Sequence, residues 1–166
     1  MSSHYLSDRV GEPRIGALLR APWQAIRARI VDGLDARGYR DVGPAHLNVL
    51  QYPTPDGLRP SDLAGRSQMT KQALNRLIRH LERRGYVRLE PDPSDQRARI
   101  IRLTERGWEL HRAIQSIVTE VEEDWARRLG ERRFRALRGA LVELGEIAHG
   151  PGPDGGPRRS RTSTTG

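Results

Sequence analysis

Residues 58–106, LRPSDLAGRSQMTKQALNRLIRHLERRGYVRLEPDPSDQRARIIRLTER, decide the fold of this chain. A short helix is expected around residues 63–64, followed by a tight polar turn at Gly65–Gln68. The next apolar residues recur at the spacing of a helix with one buried stripe: Leu74, Leu77, Ile78 and Leu81. Thr70 is a good N-cap for this second helix, and Gly85 supplies the left-handed residue expected just past its end.

Two strands are expected after this helix pair. Residues 86–90 and 99–103 alternate apolar and polar side chains, as half-buried strands do. Between them, residues 91–99 contain prolines, aspartates and a serine, so we expect a loop there. A brief strand at Leu58–Pro60 is expected to lead into the first helix. Helix, turn, helix, strand, basic loop and strand is the order of a winged helix-turn-helix, whose second helix enters a major groove while the loop reaches an adjacent groove.

The positive charge is concentrated in the same stretch. The chain carries a net charge of +8, of which residues 66–102 contribute +6 and the tail from Gly150 onward contributes +2. The rest is neutral, so the positive field lies where a phosphate backbone would lie in a winged helix bound to DNA. A basic face that is merely solvated is the alternative.

Composition limits the other possibilities. The sequence has no cysteine, which excludes disulfides and thiolate metal sites. It shows no apolar run of membrane-spanning length and no signal-peptide pattern, so we expect a cytoplasmic protein. The histidines lack metal-ligand spacing, and no phosphate loop, nucleophile elbow or zinc protease motif is present. Residues 120–124 are acidic, but a solvated helix face explains them better than paired acid–base catalysis. We therefore expect no cofactor, no bound metal and no enzymatic activity.

Helices are expected on both sides of the winged helix. Residues 14–38 form an apolar stripe that Pro22 interrupts, either by a kink or by the start of a new helix. A short helix is expected from Gly43-Pro44 through Gln51, followed by a loop through Gly57. One long helix is expected from Glu105 to about Leu129, with Thr104 as its cap. A second is expected over Glu131–Ala148.

The fold class that we predict is mostly α with a small β wing. The expected domain organisation is a flexible arm at residues 1–13, one domain at residues 14–149 and a disordered basic tail at residues 150–166. Within the domain, the winged helix-turn-helix spans about residues 44–104. The flanking helices, about 14–38 and 105–149, carry more apolar stripe than this small module can cover, which favours a two-fold dimer over intramolecular packing alone.

Three groups of residues resemble a known family. The first is Ser61-Asp62-Leu63-Ala64, and the second runs from Arg76-Leu77 through Leu81-Glu82 to Gly85-Tyr86-Val87. The third is the wing signature, Asp92-Pro93-Ser94-Asp95-Gln96-Arg97 followed by Leu103-Thr104 and Gly107. By these motifs the chain resembles the MarR (multiple-antibiotic-resistance regulator) family of bacterial transcription factors over roughly Arg14–Ala148.

The resemblance implies a homodimer of winged helices that binds a pseudo-palindromic double-stranded DNA operator. It also implies a repressor that releases its operator when a small aromatic or phenolic ligand binds. The alternative is a winged-helix module that contacts protein or RNA without sequence-specific binding to DNA.

Residue roles follow from the face of the second helix that is free of the apolar stripe. Gln72 and Asn75 could pair with adenine, Arg76 with guanine or phosphate, and Ala73 with a thymine methyl group. Thr70, beside the helix N-terminus, suits a phosphate. The other expected DNA contacts are basic: Lys71 and Arg79 on the helix, and Arg97 and Arg99 in the wing.

Two further assignments complete the sequence-based hypothesis. Asp95 is expected to hold Arg97 or a helix arginine in position, as its counterpart does in the family, or else to cap the wing turn. Trp23, His46, Tyr52 and Trp108 are candidates for an effector pocket. The alternative for these four is that they are anchors of the core or of an interface.

Overall fold

The computed structural model describes residues 12–50, 57–67 and 69–149. It is mostly helical with a two-stranded antiparallel sheet, which confirms the predicted fold class. The helices are α1 Ile15–Ala36, α2 Leu47–Leu50, α3 Pro60–Ser67, α4 Lys71–Arg83, α5 Glu105–Leu129 and α6 Glu131–His149, and the strands are β1 Val87–Asp92 and β2 Asp95–Leu103. The chain divides into two compact units between Val121 and Glu122. The predicted basic tail and most of the predicted N-terminal arm lie outside the described residues.

A single helix, α1, covers the first predicted helical stretch. Of the two alternatives at Pro22, the start of a new helix is wrong, since α1 runs through it from Ile15 to Ala36. A proline inside a helix leaves the carbonyl four residues earlier without its backbone donor. Here that carbonyl belongs to Leu18, on a turn where all residues are exposed, so water can satisfy it. The helix ends before Gly38, which has a φ of +89°.

The winged helix is assembled by α3, α4 and the β1–β2 hairpin. The two strands pair antiparallel, with Val87 opposite Leu103 and Pro91 opposite Arg99. Leu58 adds a bridge to the other edge of β2, exchanging two backbone hydrogen bonds with Ile101 at 3.1 and 2.9 Å. The predicted strand at Leu58–Pro60 is therefore limited to one bridge, because α3 already begins at Pro60, a residue suited to a first helical turn.

Three element boundaries differ from the sequence-based prediction. The turn predicted at Gly65–Gln68 is wrong for its first part, because α3 continues through Ser67. The short helix before it covers only Leu47–Leu50 of the predicted stretch. The loop predicted for residues 91–99 is also wrong: β1 continues to Asp92 and β2 begins at Asp95. A proline is compatible with β1 because that strand is an edge of the sheet.

The first turn of α5 packs closely against the segment that joins α4 to the wing. Thr104 accepts a hydrogen bond from the Gly107 N–H at 3.0 Å, which confirms it as the cap of α5. A Cβ atom at position 107 would lie 2.0 Å from the backbone oxygen of Tyr86, so only glycine fits there. Gly130, with a φ of +85°, separates α5 from α6.

One apolar core joins α1, α4, the wing and α5 within the first compact unit. Tyr86, Leu34, Leu50 and Leu81 are fully buried in it, together with Leu110 of α5. The buried side of α4 and the buried side of the wing therefore pack into the same core. Among the described residues, no helix is long and apolar enough to cross a membrane.

Candidate nucleic-acid interface

The start of α4 is fixed by a local cap. Thr70 has an extended backbone, and its Oγ1 accepts a hydrogen bond from the Ala73 N–H at 3.2 Å, which confirms the predicted N-cap. Because the hydroxyl oxygen acts as the acceptor, the hydroxyl hydrogen is left to donate. The end of α4 is equally local, since Gly85 adopts a φ of +74° after Arg84.

The outer face of α4 carries the polar residues that were predicted to meet DNA. Leu74, Ile78 and Leu81 are buried on the opposite face. Four of the predicted contacts within α4 are exposed, namely Lys71, Gln72, Arg76 and Arg79. The other two, Ala73 and Asn75, are half-buried. A capped helix that presents amide and guanidinium groups from its first two turns has the donors and acceptors needed to read base edges.

Arg97 lies in a bulge of the wing. The register moves from Pro91 opposite Arg99 to Asp92 opposite Asp95, which leaves residues 96–98 of β2 without partners on β1. Such a bulge bends the strand and redirects its side chains. Arg97 and Arg99 are both exposed, so the wing presents two cations at its outer end.

Asp95 makes a local contact at the start of β2. Its Oδ1 accepts a hydrogen bond from the backbone N–H of Arg97 at 3.0 Å, the arrangement of a capped turn. This is the second of the two roles considered for Asp95. At the end of the wing, an arginine side chain is held by a neighbouring carboxylate, that of Asp92.

Sequence reasoning missed the contact between Asp92 and Arg59. The Arg59 Nε lies 2.6 Å from Asp92 Oδ2, and the Arg59 Nη2 donates to Ser94 Oγ at 3.2 Å. Asp92 Oδ1 accepts hydrogen bonds from the Ser94 backbone N–H at 2.8 Å and from its hydroxyl at 2.7 Å. The Asp-Pro-Ser turn chemistry could have indicated the bonds to Ser94, but nothing in the sequence points to a partner 33 residues earlier.

These contacts stabilise the ionised form of Asp92. The two hydrogen bonds from Ser94, followed by the one from Arg59, lower the pKa of this carboxyl from 3.8 to about 2. The same ion pair raises the pKa of Arg59, chiefly through its hydrogen bond to Asp92. Both groups are therefore charged at any pH at which the protein would work.

A pair of stacked histidines holds the segment before α2 against α4. The rings of His46 and His80 stack with centroids 4.4 Å apart. The Gly43 N–H donates to His46 Nδ1 at 2.9 Å, and His80 Nε2 lies 3.0 Å from the Asp41 carbonyl oxygen, to which it must donate. Burial, and then the neighbouring His80, lower the pKa of His46, which favours the neutral form of that ring.

Asp41 also supports the end of α4. Its Oδ1 accepts a hydrogen bond from the Tyr86 hydroxyl at 2.9 Å, and its Oδ2 lies 3.4 Å from Arg84 Nε. Burial is the main cause that raises the pKa of Tyr86. Asp41 thus fixes the exit from α4 towards the wing, although it lies some forty residues away in sequence.

The effector-pocket candidates have separate contacts. The guanidinium carbon of Arg27 lies over the Trp23 ring, 5.4 Å from the ring centroid. The rings of Trp108 and His111 meet edge to face with their centroids 5.7 Å apart. His46 packs on His80, while Tyr52 lies outside the described residues. None of these contacts joins two of the predicted pocket residues. Within residues 12–50, 57–67 and 69–149, no group of three or more histidine, aspartate or glutamate side chains is placed to hold a metal ion.

Comparisons with known proteins agree with this architecture. A family model described as MarR family matches residues 41–98, which extend from the segment before α2 into the wing. The curated protein named transcriptional activatory protein BadR, from Rhodopseudomonas palustris, is 35% identical over 81 residues. That match covers 46% of this chain and 46% of BadR, so the chain spans about half the length of the curated relative.

Solved structures extend the similarity to most of the chain. Wild-type MarR from E. coli in its apo form has a TM-score of 0.68 at 20% identity, covering 80% of this chain and 98% of that one, which shows a shared fold. A mutant of S. aureus MepR bound to an oligodeoxyribonucleotide has a TM-score of 0.54 at 25% identity, covering 82% and 99%. The winged helix at residues 41–98 is thus similar to the MarR family, and the fold over most of the chain is that of MarR family structures.

Proposed function

We propose that this chain is a homodimeric, sequence-specific regulator of transcription that binds double-stranded DNA through α4 and the wing. The single observation that carries the proposal is the joint presentation of a capped, polar helix face and an exposed bulge arginine. The helix supplies Gln72, Asn75 and Arg76 for base edges, and Arg97 supplies a cation for the phosphate backbone or the minor groove.

The division of labour between helix and wing can be tested. The Arg97→Ala variant is expected to weaken all duplexes alike, because a phosphate contact carries no sequence information. The Asn75→Ala variant is expected to relax the preference at one base position, with a cost of about 1–3 kcal/mol for the preferred base. Equal losses on specific and random DNA for both variants would contradict this division.

Exposed apolar side chains support the dimer. In the first compact unit, α1 exposes four large apolar residues: Ile15, Leu18, Leu19 and Trp23. In the second unit, α6 exposes Leu137, Leu141, Val142, Leu144 and Ile147. Contiguous apolar surface on a soluble chain marks an interaction site, and two-fold dimers are the commonest closed assembly. Sedimentation equilibrium should give twice the chain mass, and the Leu18→Glu and Leu141→Glu variants should shift it towards one chain mass.

Regulation completes the proposal. Similarity to the family supports repression that a small aromatic or phenolic ligand relieves, with Trp23, His46, Tyr52 and Trp108 as the proposed pocket residues. The name of BadR describes an activator, so the direction of regulation needs its own measurement. A reporter gene placed behind the selected operator should fall in expression when the chain is produced, and a rise would replace repression by activation.

The decisive experiment is in vitro selection of random duplexes by the purified chain at physiological salt, because the phosphate contribution depends strongly on salt. An inverted repeat with half-sites about one helical turn apart is expected. The Arg40→Ala variant is a charge-matched control, because Arg40 is exposed, lies outside the winged helix and pairs only loosely with Asp35, at 3.5 Å. No enrichment, with binding that disappears as salt rises, would replace sequence-specific recognition by general charge attraction.

A further inference from the structure

The outer end of the wing is attached to the segment that leads into α3. Arg59 reaches from this segment to Asp92 and Ser94, the residues on either side of the Pro93 turn position. A solvent-accessible groove of about 400 Å³ lies at this junction and is lined by residues from both sides. The ion pair therefore connects two elements at a place where apolar packing does not fill the space between them.

Asp92 is the buried end of this connection. Within the described ranges, it is the single charged side chain that is buried, with 6% of its surface exposed. A charge removed from water needs a partner and hydrogen bonds to compensate for lost hydration, and Asp92 receives them from Ser94 and Arg59. Arg59 is thus the partner that ties Asp92 to a segment outside the hairpin.

Arg59 is itself held firmly by its backbone. Its carbonyl oxygen accepts hydrogen bonds from the N–H groups of Asp62 and Leu63, both at 3.1 Å, in the first turn of α3. Its neighbour Leu58 is bridged to Ile101 of β2. A residue fixed between a helix start and a strand can hold its side chain in one place, which is what positioning a second element requires.

The bulge that carries Arg97 begins immediately beyond this ion pair. The register changes between Pro91 and Asp92, and the residues without partners follow Asp95, which faces Asp92 across the hairpin. Any rotation of Asp92 would therefore alter the bulge. Arg59 stands directly before α3, and α3 packs against α4, so its ion pair joins the end of the wing to these two helices.

We propose that Arg59 is a positioning residue for DNA binding, whose ion pair with Asp92 holds the wing so that Arg97 and α4 engage one duplex together. This inference rests on the proposed function, since it requires a duplex that the chain selects. Arg59 acts through the wing and makes no base contact of its own.

A double-mutant comparison on the selected duplex tests this role. Arg59→Ala should weaken binding by about tenfold, similar to the loss of one charge-assisted contact. In an Arg97→Ala background the same change should cost less than about twofold, because the contact that Arg59 positions is already gone. An undiminished loss in that background would show that Arg59 touches DNA directly or acts only through stability, and would overturn the proposal.

Asp92→Asn separates positioning from simple electrostatics. Removing a negative charge near DNA should tighten binding if charge alone matters, whereas loss of the ion pair should weaken it if the wing must be held. Weaker binding by Asp92→Asn, with an unchanged preference at the bases read by α4, is the expected result. Tighter or unaltered binding would overturn the inference.

Two measurements keep the outcomes distinct. The thermal unfolding midpoint of each variant, recorded without DNA, shows whether the variant is folded. Arg59→Lys keeps the charge but loses the forked geometry, and it replaces Arg59→Ala in the binding comparison if that variant does not fold. Its affinity should fall between those of the wild type and Arg97→Ala. If the wild type selects no duplex, the proposed function itself fails. If the wild type selects one and the Arg59 variants match Arg40→Ala, only the positioning role fails.

Discussion

The contacts that define the ends of α4 join residues close in the sequence, whereas a contact at the end of the wing joins residues far apart. The cap, the apolar stripe and the terminating glycine of α4 all lie within the sixteen residues from Thr70 to Gly85, and the cap and the glycine make local hydrogen bonds. The end of the wing is set by Asp92, whose ion-pair partner Arg59 lies 33 residues away. The difference shows that the ends of α4 are specified locally, while the end of the wing that carries Arg97 is joined to a residue distant in the sequence.

The first prediction concerns the core beneath the recognition helix. Leu81 is completely buried, so Leu81→Ala should lower the free energy of unfolding by about 2–5 kcal/mol through lost burial and a residual cavity. Urea denaturation followed by circular dichroism measures it. The matched control on the exposed face is Arg79→Ala, which should change the free energy by less than about 0.5 kcal/mol. Similar values for the two variants would mean that α4 is not anchored by its stripe.

The elements of α4 could be predicted from the sequence because every signal that defines the helix is close in the chain. Thr70 and Gly85 make hydrogen bonds that span three residues, and the apolar stripe is visible as a helical spacing within the same segment. The same is true of α5, where Thr104 caps the helix and Gly130 ends it. Outward-facing site residues on α4 follow from the same periodicity, since the buried face determines the exposed one.

The wing was harder to predict for a physical reason. Prolines and aspartates at residues 91–95 are turn formers, yet an edge strand tolerates Pro91, and Asp92 closes the turn with side-chain bonds. The ion pair with Arg59 depends on the tertiary fold and leaves no periodic trace in the sequence. The same holds for the stack of His46 on His80, which no periodic pattern in the sequence indicates.

The second prediction uses the acidity of Asp92. Its folded-state pKa of about 2 lies below the ordinary 3.8, so the bonds that its carboxylate accepts from Ser94 and Arg59 stabilise the fold above about pH 4 and lose this effect as the pH falls towards 2. The difference in urea midpoint between the wild type and Asp92→Asn should therefore be largest near neutral pH and shrink between pH 4 and pH 2. Asp95→Asn, at an exposed carboxylate with a single local bond, is the control and should show a smaller difference at neutral pH. A constant difference across this range would mean that the ionised carboxylate of Asp92 is not its cause.

The third prediction tests how much α4 depends on its cap. Thr70→Ala removes the acceptor for the Ala73 N–H and should cost about 1 kcal/mol of unfolding free energy. Thr70→Ser keeps the acceptor and should recover most of that loss. Both are measured without DNA, because the hydroxyl is also a proposed phosphate contact. An equal cost for alanine and serine would mean that the cap contributes little and that the stripe alone defines the helix.

The smallest effect is expected at the solvent side of the wing. Arg88 pairs with Glu90 at 2.5 Å but remains 58% exposed, and Glu90 also pairs with Arg102 at 2.9 Å. Exposed pairs contribute about 0–1 kcal/mol, so Arg88→Ala should change the unfolding free energy by no more than that, and raised salt should reduce the difference further. A loss well above 1 kcal/mol that persists at high salt would show that the exposed strand pairs also hold the wing. In that case the hairpin would be stabilised along its whole length, and the connection to Arg59 would be one contribution among several.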